Sequence, residues 1–364
     1  MPVTVRSFAK INLGLAIGPL RADGFHDLRT VYQTIALHDM VRVQVSRGSG
    51  LEIRCADPRV PRDKSNTCYR MVERAMAALQ ARGRVVIEIE KRLPVQGGLG
   101  GASGNAVAAL LGLERELKKC LSGGERLQIA AEVGSDLPLF LAGGTVLGVG
   151  RGEEVYPLPD LASVACLIAT PDVGVSTPKA FADWDRLISA GAAELRTAWA
   201  GEGGRPRTTC SDASGHARLK LTPSSPSDRM LELGRAISAG LSGSSQSRFH
   251  QGKAKAGRTY SGVPVSKGRG RAETPLLDLV RTGIENDFER VVFPQYPELR
   301  EIKSVLEQAG ALYASLSGSG SAVYGLFRSR AAAAKASAQL REQAIRSVTT
   351  TTLTRPQYWK KIFD

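Results

Sequence analysis

The chain has 364 residues, 42% of them hydrophobic and 23% charged, which gives enough apolar surface for a substantial core and a length that suits two domains. No stretch approaches the roughly 18 uncharged apolar residues of a membrane helix, and the opening MPVTVRSFAK has no apolar signal region, so a cytoplasmic protein without a membrane anchor is expected. The formal net charge of +14 raises nucleic acid as a partner, but thirteen Lys and Arg against five Asp and Glu lie between Ala200 and Glu273, so one segment carries more than half of the excess.

That segment is rich in Gly and Ser and poor in apolar residues, a composition that does not repay the entropy of ordering. It reads as a flexible basic insertion at about residues 190–273, and a solvated linker is a commoner use of such a sequence than nucleic-acid binding. Five cysteines, Cys55, Cys68, Cys120, Cys166 and Cys210, share no C-x-x-C spacing, so reduced, mostly buried thiols are expected rather than a disulfide framework or a zinc site.

In chain order, the first fifty-odd residues read as strands. Val41, Val43 and Val45 alternate with polar residues, RGSG supplies a turn, and Leu51, Ile53 and Cys55 resume the alternation, which is a hairpin signal. Ser65 and Asn66 are N-cap candidates for a helix with Cys68, Val72, Ala75, Met76 and Leu79 on one face, stopped at Gly83. RVVIEIEK is a strand that leads directly into LPVQGGLGGASGN, with five glycines in thirteen residues. Ala106, Leu110, Leu113 and Leu117 then follow helical spacing, with Ser103 as a candidate cap.

A shorter helix over Glu125 to Val133 ends at Gly134, and DLPLFLAGGTVLGVGRGEEV reads as strands joined by glycine turns. VACLIATP is a buried strand. PELREIKSVLEQAG is an amphipathic helix, ASLSGSGSAVYGLF a strand or hairpin with a second glycine turn, and an alanine-rich helix precedes the strand SVTTTTLT. The later half is therefore α+β.

The glycine stretch matches neither of two familiar phosphate loops. No lysine follows as a G-x-x-x-x-G-K-Ser/Thr loop requires, and Ser103 stands at the third position of a GxGxxG pattern. Its glycines still allow successive N–H groups to turn inward, and the following helix adds unpaired amides and the positive end of its dipole, making a site for an anion such as a triphosphate. A ligand-free glycine turn is an equal alternative on spacing alone.

SFAKINLGL, RADGFHDL, PVQGGLGGASGNA, GSDLPLFL and SLSGSGSAVYGLF, in this order, resemble the GHMP family of small-molecule kinases over roughly residues 1–185 and 274–354. The resemblance implies an α/β (α+β) two-domain fold. Residues 1–160 would form a half like domain 2 of ribosomal protein S5, with the nucleotide loop and catalytic pair, and residues 161–364 a ferredoxin-like half interrupted by the insertion. It implies transfer of the γ-phosphoryl of ATP, with Mg²⁺, to a substrate hydroxyl. RADGFH together with Thr177, Pro178 and Phe181 points within the family to the 2-hydroxyl of a cytidine-diphosphate-linked methylerythritol, an isoprenoid precursor, ahead of mevalonate-like substrates or homoserine.

Carried over residue by residue, Asp136 resembles the family's catalytic base and Lys10 its cationic partner. The run Pro94, Val95, Gln96, Gly97, Gly98, Leu99, Gly100, Gly101, Ala102, Ser103, Gly104 and Asn105 would hold the nucleotide, with Lys91 and Asn66 beside it. Lys91 at a strand end has solvent exposure as its alternative. Asn12, Phe25 and His26 resemble substrate-side residues that hold the cytosine, with Phe181 stacking on its other face and Thr177 reaching the diphosphate or sugar. The turn at Ser317 to Gly320 would border the cleft or be a plain hairpin turn. Three positions depart from the family pattern: Gln96 where a small residue is common, Gly104 where a second Ser is frequent, and Phe25 in place of Tyr. No membrane or nucleic-acid partner is implied, and monomer and homodimer stay equally open.

Deletion of residues 200–270 with a short linker should leave the fold and activity largely intact, because closing a loop costs little per residue. Thermal melting checks this, and loss of a cooperative transition would make the segment part of the core.

Overall fold

The computed structural model describes residues 2–201 and 285–363, and the rest of the basic segment lies outside the described residues. Two sheets carry the described chain. The first contains β1 (Val3–Leu20), β2 (His26–Ser46), β3 (Gly50–Cys55), β4 (Arg84–Glu90), β5 (Thr145–Val149) and β6 (Glu154–Pro157), in the order β3-β4-β2-β5-β6 with β1 paired to β2. Helices α1 (Thr67–Ala78), α2 (Gly101–Leu117), α3 (Gly123–Val133) and α4 (Leu137–Ala142) accompany it.

The second sheet joins β7 (Ala165–Ala169), β8 (Tyr313–Leu316), β9 (Val323–Phe327) and β10 (Ser347–Thr351) in the order β10-β7-β9-β8, all pairs antiparallel. This is the strand order of a ferredoxin-like half. Its helices are α5 (Thr177–Gly201), α6 (Glu289–Val292), α7 (Pro297–Gln308) and α8 (Arg330–Glu342), followed by α9 (Arg355–Lys361). That last helix returns to the first half, where Tyr358 and Ile362 are buried in the same core as Phe8 and Phe140. The first twelve residues of the expected insertion, from residue 190, continue α5.

Local chemistry explains most boundaries. Asn66 caps α1 by accepting the Cys68 amide at 2.8 Å, and Ser122 and Glu125 form a reciprocal capping box on α3. Helix α1 ends at Ala78, ahead of the expected stop at Gly83, because Gln80 takes a left-handed conformation at φ 48°. The expected β2–β3 hairpin does not form. Strand β4 lies between them, antiparallel to β2 and parallel to β3, so Val41, Val43 and Val45 face Ile89, Ile87 and Val85. A buried central strand from a distant segment covers more apolar surface there than local pairing would. The stretch from Leu137 to Ala142, expected as strand, is a helical turn with Pro138 in its first positions and Leu137, Leu139 and Phe140 buried.

Strand β1 serves both halves. Ala9, Ile11 and Leu13 enter the seam core with Ile168, Tyr324 and Leu326 of the second sheet, and Leu15 and Ile17 enter the second core. Across the seam, Leu15 N–H donates to Glu285 O at 3.1 Å and Asp287 N–H to Leu15 O at 2.9 Å. The residues alternating with Ala9, Ile11 and Leu13 are Lys10 and Asn12, turned to the opposite face of the strand.

Candidate active site

Lys10 is 4% exposed, and its Nζ donates to Asn12 Oδ1 at 2.7 Å and lies 3.4 Å from Asp136 Oδ2. Asn12 is oriented in turn: its Nδ2 donates to Thr30 Oγ1 at 2.7 Å, and that hydroxyl donates to Gly14 O at 2.7 Å. Asp136 is the residue that precedes α4, yet its side chain makes no capping hydrogen bond. The carboxylate instead accepts from Tyr32 OH at 3.0 Å through Oδ1. Burial, reinforced by the Asp136 charge, holds the Tyr32 phenol well above its usual value, so it stays protonated and remains a donor.

The glycine loop passes directly over this pair. Gly98 and Gly100 have φ of 72° and 69°, and neither tolerates a side chain. A Cβ on Gly98 would stand 2.0 Å from Ser317 O, and one on Gly100 3.0 Å from Lys10 Cγ and 2.9 Å from Phe140 Cζ. The loop is tied on both sides: Lys10 N–H donates to Leu99 O at 3.0 Å, Ala322 N–H to Gly97 O at 3.2 Å, and Ser317 Oγ to Gly98 O at 3.0 Å. The turn at Ser317 to Gly320 therefore borders the cleft. Asn286 holds it from behind, with Nδ2 donating to Leu316 O at 2.9 Å and Gly318 O at 2.7 Å.

Helix α2 begins at Gly101 with no acidic residue in its first turn and no side-chain cap. Ser103 is not the cap expected from its position, since Gly100 takes that place and Ser103 lies inside the first turn. The amides of that turn have no intrahelical partners, which suits an anion.

Two cavities meet at this loop. One, of about 350 Å³, is lined by the whole run Pro94 to Ser103 with Asn105, Asn66 and Lys91. The other, of about 720 Å³, holds Lys10, Asn12, Asp136, Phe25, His26, Thr177 and Phe181. Gly98, Gly100 and Ser103 line both.

The remaining expected residues sit as follows. Lys91 is largely shielded from solvent and ion-paired with Asp39, which also accepts from Arg92 N–H at 2.7 Å, Leu93 N–H at 2.8 Å and Asn105 Nδ2 at 3.0 Å. Its alternative, a solvated strand-end lysine, is set aside. Asn66 is committed to capping α1 and donates to Pro61 O at 2.6 Å. Gly104 packs against β1, where a Cβ would lie 2.8 Å from Ser7 Oγ and 3.0 Å from Phe8 O, so a serine here has no room.

In the larger cavity the His26 ring stacks on Phe181, with centroids 5.0 Å apart and planes within 9°, and bonds Asp185 Oδ1 at 2.7 Å. Phe288 meets Phe181 edge-on at 4.9 Å. Phe25 is exposed, with the Arg151 guanidinium 5.0 Å above its ring. Thr177 Oγ1 pairs with Ser319 Oγ at 2.7 Å. Sequence reasoning missed Tyr32, Thr30, Asp39 and Asn286. Tyr32 is the register partner of Asn12 across β1 and β2, and only that register reveals it. Asp39 had a weak signal, an acid in the apolar middle of its strand, between Leu37 and Met40.

The GHMP kinases N terminal domain matches residues 66–144 and the GHMP kinases C terminal domain residues 273–346. A protein of Acaryochloris marina named 4-diphosphocytidyl-2-C-methyl-D-erythritol kinase is 33% identical over 338 residues, 93% of this chain and 91% of that protein. The chain belongs to the GHMP kinases, on the 4-diphosphocytidyl-2-C-methyl-D-erythritol kinase branch. A Solibacter usitatus protein of the same name is 32% identical over 90% of this chain and 81% of its own length. A crystal structure of 4-(cytidine 5'-diphospho)-2C-methyl-D-erythritol kinase superposes with a TM-score of 0.62 at 25% identity, covering 96% of this chain and 98% of that one.

Gln96 carries a local backbone cost. It stands at φ 63°, a left-handed conformation that glycine adopts freely. Gln96→Gly should raise stability by about 0.5–1 kcal/mol, the left-handed penalty less the entropy glycine loses on folding. Denaturant unfolding reads the change, and a lower midpoint would mean the glutamine side chain makes a compensating contact.

Proposed function

We propose that this protein transfers the γ-phosphoryl group of ATP to the 2-hydroxyl of 4-diphosphocytidyl-2-C-methyl-D-erythritol, in the methylerythritol phosphate route to isoprenoid precursors. The smaller cavity takes the nucleotide and the larger one the acceptor. The observation that carries the reading is the shared wall: Gly98, Gly100 and Ser103 face both cavities, and Lys10 and Asp136 stand on the acceptor side of it. A terminal phosphate lying along α2's first turn would reach that boundary.

Phosphoryl transfer is chiefly a matter of positioning and charge stabilisation. The hydroxyl oxygen forms its bond to the γ-phosphorus as the bond to the β-phosphate oxygen breaks, and ADP leaves. Asp136 takes the hydroxyl proton. The Lys10 ammonium, oriented by Asn12, faces charge on the transferring oxygens, and the amides of the loop and of α2 hold the remaining phosphate charge. His26, Phe25 and Phe181 provide the apolar and hydrogen-bonding surface for a base, and Thr177 a hydroxyl for the sugar or diphosphate. Residues 1–160 hold the nucleotide and the catalytic pair, and residues 161–364 close the cleft.

Among the described residues no group of three or more His, Cys, Asp or Glu is placed to hold a metal ion. Mg²⁺ would come with the nucleotide, since it keeps several waters and binds phosphate oxygens with few protein ligands. The Ser103 hydroxyl is available to it, and once bound it would neutralise phosphate charge.

Purified protein with ATP, Mg²⁺ and 4-diphosphocytidyl-2-C-methyl-D-erythritol should release ADP well above parallel reactions containing mevalonate or homoserine. Equal or greater release with either control would reassign the acceptor. Asp136→Asn should lower turnover about 10²-fold to 10⁴-fold while leaving the protein folded. Near-normal turnover would remove Asp136 from its role as proton acceptor.

A further inference from the structure

We propose that Tyr32 is a positioning residue for the transfer: its phenol holds one oxygen of Asp136 so that the other is presented to Lys10 and the acceptor cavity. This rests on reading Asp136 as the proton acceptor. The carboxylate stands at the start of a six-residue helix, a third exposed to the cavity, and no capping bond restrains it. Rotation about its terminal torsion is soft. Tyr32 OH donates to Oδ1 at 3.0 Å, while Oδ2 lies 3.4 Å from Lys10 Nζ, so the two oxygens are divided between a tether and the cation. The tether also carries the cation, since Lys10 Nζ is 5.6 Å from the centroid of the Tyr32 ring.

The ring itself is fixed. Tyr32 is 2% exposed and pairs with Asn12 on one side and Val146 on the other, so β1, β2 and β5 set its backbone. Behind it runs the glycine-rich GVGRG stretch, from the end of β5 into the turn toward β6, a feature that phosphate binding does not use. A Cβ on Gly148 would stand 2.5 Å from Tyr32 Cε2, and one on Gly152 2.6 Å from the phenol oxygen. Those two absent side chains leave the room in which the phenol reaches Asp136. Tyr32 also lines the larger cavity, but its hydroxyl is spent on Asp136, and through that carboxylate it acts on the transfer.

Tyr32→Phe keeps the ring and removes the tether. It should lower kcat about tenfold to a hundredfold, the scale of a misplaced catalytic group. Each KM should stay within about twofold and the melting transition should be unchanged. Because the two residues act as one unit, Tyr32→Phe combined with Asp136→Asn should be no slower than Asp136→Asn alone. An unaltered kcat in Tyr32→Phe, or a double variant slowed by the full product of the single effects, overturns the assignment. So does a raised acceptor KM at constant kcat, which would make Tyr32 a substrate contact. If Asp136→Asn is slow and Tyr32→Phe is not, only the role of Tyr32 falls. A fast Asp136→Asn removes the reading of the base as well.

Discussion

An ammonium removed from water must find charge and hydrogen bonds in the protein, and Lys10 is such an ammonium. Its partners come from three places in the chain: Asn12 two residues along the same strand, the Tyr32 ring on the neighbouring strand, and Asp136 ahead of a helix more than a hundred residues later. Desolvation makes that convergence obligatory, since an unpaired buried charge costs several kcal/mol, on the order of the whole net stability of a domain. Folding and assembly of the site are therefore one event. The same pair that satisfies the lysine leaves a carboxylate partly open to the cavity.

Space is the second constraint. The loop between β4 and α2 must cross the face of Lys10 while pressing against Ser317, and the distances a Cβ would meet leave only glycine at Gly98 and Gly100. Close approach then does two things: it aligns the loop with the first turn of α2, and it separates one hollow into two cavities with a thin shared wall. Beside the smaller one the buried Asp39 carboxylate pairs with Lys91 and accepts from four N–H donors in all, Lys91 included, which fixes Lys91 and Asn105 at the cavity edge.

Much of this was legible in the sequence where the signal is local. The Asn66 cap, the alternation of Val85, Ile87 and Ile89, and the helical spacing from Ala106 to Leu117 appear where they were expected. So does the meeting of Lys10 with Asp136, through the family resemblance rather than through any spacing. What failed is in part non-local. The β2–β3 hairpin had the right alternation and turn, and β4 displaced it, since pairing partners are chosen by burial across the whole sheet. Leu137 to Ala142 is apolar enough for a strand, and Pro138 at its start settles it as a helix. Ser103 has the side chain of a cap, but Gly100 at φ 69° starts the helix one turn sooner. Tyr32 could not be found without the β1–β2 register, which contains shifts at Phe8/Ala9 and Asn12/Gly14.

The position of the basic segment also follows from anchoring. On its N-terminal side, α5 places Thr177, Phe181 and Asp185 against the site and buries Trp184 at 1% exposure within its first turns. On its C-terminal side the described chain resumes at Glu285, and Asn286 and Asp287 are fastened at once: Asn286 to Leu316 and Gly318, Asp287 to the Ile17 amide at 2.8 Å and to Leu15. Among the described residues, the larger cavity is shaped from both flanks of the interval. Both flanks of the interval are thus held by residues that line or brace the larger cavity.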